Sequence, residues 1–413
     1  MTHRTSVVIV GGGHSGLAMS KQLSKRGLDH VVLERGEAGD SWRHQRWDSF
    51  RLLTPNWQTR LPGSSYEGRD PDGFMTGAEM ADFIANYARE VDAPLQLGAE
   101  VTKVQPTSDR YEVTSTQGHW LCQSVVVASG AHRRANPPDC AAGVPAEVDQ
   151  VNPLDYRNPD QLADGGVLVV GAAATGIQLA EEIHASGRPV TLSVGEHVRM
   201  PRTYRGRDIQ YWMEGTGRLD ERYDEVEEIA RARGVASPQL IGTPERRSLG
   251  LNELTTAGVQ LRGRLGGIRD GVAMFSGGLR NHCALADQKL GRLLEEIDEW
   301  IDEQRLGGTV GPPERYEPTV VPNNAPLTLD LGTGEIRTIV WATGFRSDLS
   351  WVDLPVFDEA RRLRHDGGVV DAPGIYFLGG TFLRRRGSSF IHGATADTED
   401  LADHLIAHLR GDL

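Results

Sequence analysis

Two apolar runs, each followed by a glycine-rich turn and a helix-like stretch, dominate the hydrophobic pattern of the chain. The first covers residues 6–10 and leads into Gly11-Gly12-Gly13-His14-Ser15-Gly16, after which apolar positions recur at helical spacing. The second covers residues 166–170 and leads into Gly171-Ala172-Ala173-Ala174-Thr175-Gly176. A strand, a turn and a helix in that order, followed by a further strand, predict a doubly wound α/β unit at each place.

The remaining pattern alternates strands and helices. Thr76, with Glu79 three residues later, has the signature of a capped helix start. The densely charged stretch 220–233 predicts a solvated helix. The other predicted elements are a helix from Thr76 to residue 90, strands between 95 and 128, a helix over 284–304, strands at 336–341 and 374–380, and a last helix that opens at Ser388.

Five prolines between residues 134 and 165 mark a change of composition that is typical of a crossing between domains. We therefore expect a first domain that begins with residues 1–155, an inserted second domain over 156–310, and a return to the first domain over 311–413. The single apolar stripe of the helix at 284–304 suits a core or a subunit contact, which leaves a homodimer open.

The first turn, Gly11–Gly16, has the spacing that binds a pyrophosphate. Its first glycine permits a tight bend, Gly13 lets the backbone approach the phosphates, and Gly16 lets helix and strand pack closely. Glu34 ends the next strand, where a carboxylate binds the ribose hydroxyls of an adenosine. The alternative is a purely structural turn with a chance acid nearby.

The second turn, Gly171–Gly176, repeats this spacing with Ala173 in place of the middle glycine. Ser193 ends its second strand, and no carboxylate stands at that position. Arg199 and Arg202 follow, and charge-assisted hydrogen bonds from them favour NADPH over NADH. Against this stand Glu196, which is close by, and the usual role of arginines as solvated surface residues.

Composition excludes several classes of protein. The 413 residues carry a net charge of −13, and their basic residues form no aromatic-interleaved patch, so a nucleic-acid partner is not expected. No apolar run approaches the roughly 20 residues of a membrane span, and the first strand starts at once, so we expect neither a membrane segment nor a signal peptide and place the protein in the cytoplasm. The three cysteines form no CxxC pair, which excludes dithiol-disulfide reductases, and no metal-ligand spacing occurs.

In the order of its motifs the chain resembles the two-dinucleotide flavoprotein superfamily, and within it the flavin-containing and Baeyer-Villiger type monooxygenases. The resemblance covers most of the length and rests on the following segments: the two turns, Glu34, residues 39–42, Ala128-Ser129-Gly130, Ala342-Thr343-Gly344-Phe345 and the strand Gly374-Ile375-Tyr376-Phe377. It implies that FAD lies along the first domain and that NADPH binds the second domain, which is inserted into the first.

The resemblance also implies which residues form the site. The segment after the first unit runs past the flavin in similar enzymes, so Arg46, Asp48 and Asn56 are the catalytic candidates. The candidate cofactor-binding residues are Gly11, Gly13, His14, Ser15, Gly16, Glu34, Arg35, Trp42, Arg43, Ser129, Gly130, Gly171, Ala173, Ala174, Thr175, Gly176, Ser193, Arg199, Arg202, Thr343, Gly344, Gly379, Ser389 and Phe390.

The activity implied is an NADPH-consuming monooxygenase, which inserts one oxygen atom from O₂ into a small organic substrate through a flavin hydroperoxide. The N-terminus of the last helix would stabilise negative charge on the reduced flavin, unless it is an ordinary capped helix. The monooxygenase fingerprint is not intact, because Tyr156 is present without a preceding histidine. Two alternatives therefore stay open: a flavin reductase or oxidase without oxygen insertion, and a binding protein with a degenerate nicotinamide site. At least two of the three residues Arg384, Arg385 and Arg386 are expected to be exposed.

Overall fold

The computed structural model describes residues 2–412 and contains two sheets of the doubly wound type. Five parallel strands form most of the first sheet, and two short antiparallel strands extend one edge. Its strands are, in spatial order, His365–Asp366, Val369–Val370, Ile375–Phe377, Ser124–Val127, Val7–Val10, His30–Leu33 and Leu95–Gln96. The central strands are buried on both faces, which explains their continuous apolar runs.

The second sheet is fully parallel and has five strands. They are, in spatial order, Asp149–Val151, Ile336–Trp341, Gly166–Val170, Val190–Ser193 and Gln260–Arg262. Each sheet has a hydrophobic core of its own. This arrangement confirms the predicted fold class, an α/β protein with two dinucleotide-binding units of which the second interrupts the first.

The structure places two strands differently from the predicted division of the chain. Asp149–Val151 and Ile336–Trp341 both belong to the second sheet, although residues 1–155 and 311–413 were assigned to the first domain. The chain crosses between the sheets where residues 134–135 pair antiparallel with residues 345–346, and we call this pair the crossing ribbon. An apolar strand pattern identifies a strand but does not specify which sheet it joins, so the boundaries were misplaced.

Nine α-helices occur in the described residues: His14–Lys25, Asp40–His44, Gly77–Glu90, Ala174–Ala185, Ile209–Gly215, Ile229–Arg233, Leu251–Ala257, Leu279–Glu303 and Ala394–Arg410. The predicted capping box is present, because Thr76 and Glu79 exchange both hydrogen bonds at the start of their helix. The predicted helix over 220–233 is wrong. Only its last five residues are α-helical, while Arg222 pairs with Asp224 inside the stretch and Glu221 pairs with Arg386.

Smaller sheets flank the two large ones. A four-stranded sheet joins Thr2–Arg4, Gly118–Cys122, Tyr111–Ser115 and Val101–Pro106 beside the first, which confirms the strands predicted between 95 and 128. A three-stranded sheet of Leu265–Arg269, Val272–Phe275 and Thr328–Asp330 lies beside the second. Short two-stranded ribbons join residues 60–61 with 64–65, 198–199 with 238–239, and 203–204 with 207–208. Across residues 2–412, every helix is too short or too polar to cross a membrane.

Candidate active site

The first turn requires two of its glycines for steric reasons. A Cβ on Gly11 would lie 2.4 Å from the carbonyl oxygen of Ala128, and one on Gly16 would lie 2.0 Å from that of Gly11. Gly11 also has a φ of +111°, which side-chain-bearing residues rarely adopt. Gly13 faces open space, with no neighbouring atom within 4 Å of a Cβ placed there. The turn is thus closed where helix and strand meet and open where phosphates approach the backbone.

Polar groups around the first turn fit a bound dinucleotide. The Glu34 carboxylate accepts hydrogen bonds from the backbone N–H groups of Gly12 (2.7 Å) and Gly36 (3.1 Å), which fixes it at the end of its strand. His14 Nε2 and Ser129 Oγ are buried and have no hydrogen-bond partner in the protein. Burial lowers the pKa of His14 to about 4, so its ring is neutral at physiological pH. A ligand beside the turn would satisfy both orphaned atoms.

The second turn has the same geometry as the first. A Cβ on Gly176 would lie 1.8 Å from the Gly171 carbonyl oxygen, which reproduces the close approach seen at Gly16. Ala173 has φ −77° and ψ −176°, against −79° and −178° at Gly13. Alanine is therefore unstrained here, and Ala173, Ala174 and Thr175 line the wall of a large cleft. Phosphate can approach this turn, with the alanine methyl group as the one added obstacle.

The cleft lies between the two domains and has a volume of about 1830 Å³. The second turn and Ser193 form one part of its wall, and Trp42, Arg46 and residues 389–391 form another. Among the described residues, those of the first turn are not part of this wall. A cavity of this size exceeds the roughly 300–1,000 Å³ of common small-molecule sites, so it can hold a dinucleotide end together with a substrate.

Arg46 is the most unusual charge in the cleft. Its guanidinium carbon lies 4.9 Å from the centre of the Trp42 ring and 5.4 Å from that of Phe50. Its one hydrogen bond goes to the neighbouring Gln45 carbonyl oxygen (2.7 Å), and it forms no salt bridge with a described residue. Burial lowers its pKa to about 10, so it still carries its charge at neutral pH. An uncompensated cation on two aromatic faces is a ready site for an anionic or polar group.

Two catalytic candidates are not supported by their positions. Asp48 is exposed outside the cleft wall and accepts a hydrogen bond from Asn158 (2.7 Å). Asn56 is buried, and both ends of its amide are engaged, because it donates to the Asp70 carbonyl and accepts from the Met75 N–H. The segment continues along the cleft through Phe50 and Leu52, but neither Asp48 nor Asn56 is part of its wall.

The residues predicted to receive the NADPH ribose phosphate are occupied elsewhere. The Ser193 hydroxyl is buried between the Gly263 carbonyl and the Leu265 N–H. Arg199 pairs with Asp287 (2.6 Å). Arg202 is fully buried, pairs with Asp208 and donates to the Leu53 carbonyl. None of these contacts was visible in the sequence, because each partner lies far away along the chain or points back across a turn.

The other predicted cofactor residues divide into two groups. Thr343, Gly344, Ser389 and Phe390 line the cleft, and Gly379 packs against Ser15 of the first turn. Gly130 has a φ of +89° at the end of its strand segment. Arg35 and Arg43 are exposed, and Arg43 pairs with Asp82 (2.6 Å) on the outer surface. The predicted cofactor contact of Arg43 is therefore not supported.

Arg384, Arg385 and Arg386 are not exposed as expected. Their side chains are only 15%, 18% and 28% accessible, because they pair with Asp400, Asp397 and Glu221. The last helix begins at Ala394, six residues later than predicted. Its first turn contains the buried carboxylate of Asp397.

One cleft residue, His132, was missed by sequence reasoning. It lines the cleft beside Arg46 and packs edge-on against Phe345. Burial by the surrounding protein and the charge of Arg46 lower its pKa, which keeps the ring neutral. Its position just after Ala128-Ser129-Gly130 could have indicated a site residue, because loops at the carboxyl ends of a parallel sheet form binding sites.

The three cysteines are free thiols and are distributed over separate parts of the protein. Cys122 lies in the core of the first sheet and Cys283 in that of the second, while Cys140 is partly exposed. This agrees with the absence of a dithiol pair. Within residues 2–412, no group of acidic, histidine or cysteine side chains is arranged to hold a metal ion.

Two phosphate turns on two doubly wound sheets define the class of two-dinucleotide-binding oxidoreductases. A family model described as pyridine nucleotide-disulphide oxidoreductase matches residues 8–233, more than half of the chain. The chain belongs to this family and is an oxidoreductase.

Relatives and solved structures agree with this assignment. An uncharacterized CzcO-like oxidoreductase of Geobacillus kaustophilus is 30% identical over 412 residues, which is 99% of this chain and all of that protein. The probable indole-3-pyruvate monooxygenase YUCCA8 of Arabidopsis thaliana is 26% identical over 213 residues, 48% of this chain and 50% of the relative. The flavin-containing monooxygenase of Stenotrophomonas maltophilia shares the fold with a TM-score of 0.69 at 18% identity, over 98% of this chain and 99% of that one. The resemblance to flavoprotein monooxygenases is thereby confirmed.

Proposed function

We propose that this protein is an FAD-dependent, NADPH-consuming monooxygenase acting on a small organic molecule. The observation that carries the proposal is the cleft, in which the second phosphate turn faces the wall containing Trp42, Arg46 and residues 389–391. A nicotinamide dinucleotide seated on that turn can extend toward the first domain. FAD held by the first turn would supply hydride acceptance and O₂ activation, so that substrate, O₂, NADPH and a proton give the oxygenated product, NADP⁺ and water.

The chain's own residues would bind, orient and exclude water. Glu34, the first turn, His14 and Ser129 offer the groups that hold the adenosine and pyrophosphate of FAD. Arg46 presents unused guanidinium donors in the cleft, and we assign it the orientation of nicotinamide or substrate. Apolar residues such as Leu52, Met213 and Phe390 line much of the remaining wall and limit the entry of water, which would otherwise divert the reaction to hydrogen peroxide.

Similar proteins support oxygen insertion over simple electron transfer. The names of the plant relatives and of the Stenotrophomonas structure specify monooxygenases. A cyclohexanone monooxygenase also shares the fold, with a TM-score of 0.55 at 15% identity, over 99% of this chain and 89% of that one. Carried over to this chain, these names suggest a carbonyl compound or a heteroatom as the site of oxidation.

The proposal is tested by reducing the purified holoenzyme with NADPH in the absence of air and then admitting oxygen. We expect the yellow flavin absorbance to bleach with NADPH, then to return slowly while hydrogen peroxide is released in the same slow phase. A substrate should replace peroxide release by an oxygenated product that contains ¹⁸O from ¹⁸O₂. Immediate return with stoichiometric peroxide would indicate an oxidase or reductase. A flavin that NADPH and NADH both fail to bleach would indicate a binding protein.

A further inference from the structure

The adenosine end of a nicotinamide dinucleotide must lie near the carboxyl end of the strand Val190–Ser193, because this is the second strand of its unit. At this edge the residues expected to recognise a ribose phosphate are already engaged. Ser193 is hydrogen-bonded, Arg199 pairs with Asp287, and Arg202 is buried against Asp208. If NADPH is selected, other cations must contact the extra phosphate.

Arg264 lies just beyond the carboxyl end of the strand Val190–Ser193, where the extra phosphate of NADPH is expected. A Cβ on Gly195, two residues beyond the end of this strand, would lie 3.5–3.7 Å from the Cβ, Cγ and Cδ atoms of Arg264, so its side chain runs along this edge. Arg264 lines the cleft and is exposed to it. Within the part of the chain that the structure describes, its guanidinium has neither a salt bridge nor a hydrogen bond. All its donors are thus available to a ligand.

The backbone around Arg264 is held in place from three sides. The Ser193 hydroxyl donates to the Gly263 carbonyl (3.1 Å) and accepts from the Leu265 N–H (3.0 Å). The Ser276 N–H donates to the carbonyl of Arg264 itself (2.8 Å). A Cβ on Gly263 would lie 1.9 Å from the Ser276 carbonyl oxygen, so only glycine fits there. Ser193 therefore positions the segment that carries Arg264 instead of contacting a phosphate.

Two further cations come from the helix Leu279–Glu303. Lys289 and Arg292 are three residues apart, so they lie on one face of the helix, and both line the same cleft. Neither forms a salt bridge or a side-chain hydrogen bond with another described residue. The pair Arg199–Asp287 ties the start of this face to the strand Val198–Arg199, close to the same edge. Three carboxylates also line the cleft: Glu196, Asp139, and Glu296, which pairs with Arg218.

We infer that Arg264, with Lys289 and Arg292, binds the phosphate on the adenosine ribose of NADPH and so selects NADPH over NADH. This inference rests on the proposed nicotinamide site. A phosphate monoester carries about −1.5 to −2 charges at neutral pH and accepts paired hydrogen bonds from a guanidinium. The three cations outnumber Glu196, and the nearby Glu296 is already paired with Arg218, so the local field has the sign that attracts the phosphate.

The test measures binding of adenosine 2′,5′-bisphosphate and of AMP to the holoenzyme by calorimetry, together with anaerobic flavin reduction by NADPH and NADH. We expect the wild type to bind the bisphosphate at least tenfold more tightly than AMP. Arg264→Ala should remove most of this difference and raise the KM for NADPH by about tenfold or more, with little change for NADH. Arg269→Ala is the matched control, since Arg269 is exposed on the strand that follows and lies outside the cleft wall.

Further variants keep the result interpretable. Lys289→Ala combined with Arg292→Ala should also lower the preference for adenosine 2′,5′-bisphosphate over AMP. Glu196→Gln should increase this preference. Ser193→Ala should reduce it without contacting the ligand. The inference is overturned if the wild type binds the two nucleotides equally, or if Arg264→Ala weakens the binding of both to the same extent. In either case, flavin reduction by NADH would leave the proposed function standing. If neither nucleotide binds and neither dinucleotide bleaches the flavin, both fail.

Discussion

At the scale of single residues, Ala173 adds a methyl group at the position that Gly13 occupies in the first turn, on nearly the same backbone conformation. We predict that Ala173→Gly lowers the KM for NADPH several-fold, because the methyl group occupies the side from which phosphate approaches. Steady-state kinetics of flavin reduction measure this. The free energy of unfolding should change by less than about 1 kcal/mol, since position 173 precedes the helix.

A matched pair of substitutions tests the first turn. Gly16→Ala places a Cβ 2.0 Å from the Gly11 carbonyl oxygen, so we predict a protein that is purified largely without flavin. Gly13→Ala meets no protein atom and should fold normally while holding FAD more weakly. The ratio of flavin to protein absorbance after gel filtration compares the two variants. Full flavin content in Gly16→Ala would contradict the prediction.

Arg46 and Arg43 sit three residues apart and provide a second comparison. We predict that Arg46→Met keeps its FAD but is reduced by NADPH about tenfold more slowly, because the cleft loses the unpaired cation beside Trp42. Arg43→Met should behave as the wild type, since Arg43 pairs with Asp82 outside the cleft. Rapid-mixing kinetics decide the matter, and an equal effect of the two substitutions would remove Arg46 from the proposed site.

Residue patterns predicted backbone requirements better than side-chain partners. The predicted roles of Gly11, Gly16 and the capping pair Thr76 and Glu79 agree with the structure, because local sterics and hydrogen bonds determine these roles. Arg202 was assigned to a phosphate but pairs with Asp208 and the Leu53 carbonyl, and the second of these lies 149 positions away. Long side chains choose among many partners brought together only by the fold, so their roles are not readable from spacing.

At the scale of elements, the carboxylate of Asp298 anchors the second half of the helix Leu279–Glu303. Asp298 accepts hydrogen bonds from Tyr204 (2.8 Å), Arg205 (2.9 Å) and Arg315 (2.9 Å). Its side chain is 17% accessible and that of Arg205 only 7%. This cluster connects the helix to the loop before the helix Ile209–Gly215 and to the segment around residue 315.

We predict that Asp298→Asn destabilises the protein by about 3 kcal/mol, because it leaves the buried Arg205 without a counter-charge. Urea unfolding followed by far-UV circular dichroism gives the value. Glu299→Gln, at the next and exposed position of the same helix, is the control and should change stability by less than about 0.5 kcal/mol. A loss below 1 kcal/mol in Asp298→Asn would show that the cluster is not the anchor.

Element prediction succeeded where apolar periodicity was strong and failed where charge dominated. The helix predicted over 284–304 exists, with its apolar stripe of Leu290, Leu294 and Ile297 buried. The stretch 220–233 forms only a 3-10 turn at Tyr223–Glu225 and the short helix Ile229–Arg233, because it has no apolar stripe to bury. Helices in proteins depend on such burial more than on intrinsic propensity.

At the scale of the whole molecule, acid should weaken the fold through buried histidines. Burial lowers the pKa of His365 and of His392 to about 4, against about 6.5 for exposed histidine. Between these values the unfolded chain binds more protons than the folded one, so the free energy of unfolding falls as the pH drops from about 6.5 toward 4.

We predict that the effect of His392→Gln on the free energy of unfolding is about 2 kcal/mol more favourable at pH 5 than at pH 8, because glutamine cannot take up the proton. His44→Gln serves as the control, since the His44 side chain is 64% accessible. Denaturant titrations at the two pH values measure the difference. The same pH dependence in wild type and His392→Gln would exclude this histidine as a source of acid sensitivity.

Sheet membership was the largest feature of the fold that the sequence did not predict. Both sheets contain short, fully apolar parallel strands, so Ile336–Trp341 was equally compatible with either. The order of motifs predicted the nested architecture, while the positions at which the chain changes sheets depend on pairings between distant residues.

The crossing ribbon brings the two ends of the inserted domain together. Arg134 is paired with Arg346 and Ala135 with Phe345, so the strand entering the domain and the strand leaving it are direct neighbours. An insertion whose two ends meet in this way leaves the strand order of the first sheet unchanged, while contacts such as Arg202 with the Leu53 carbonyl and Glu221 with Arg386 still join it to the rest of the chain. A transplant of this insertion into a related protein would therefore have to carry both its paired ends and these side-chain partners.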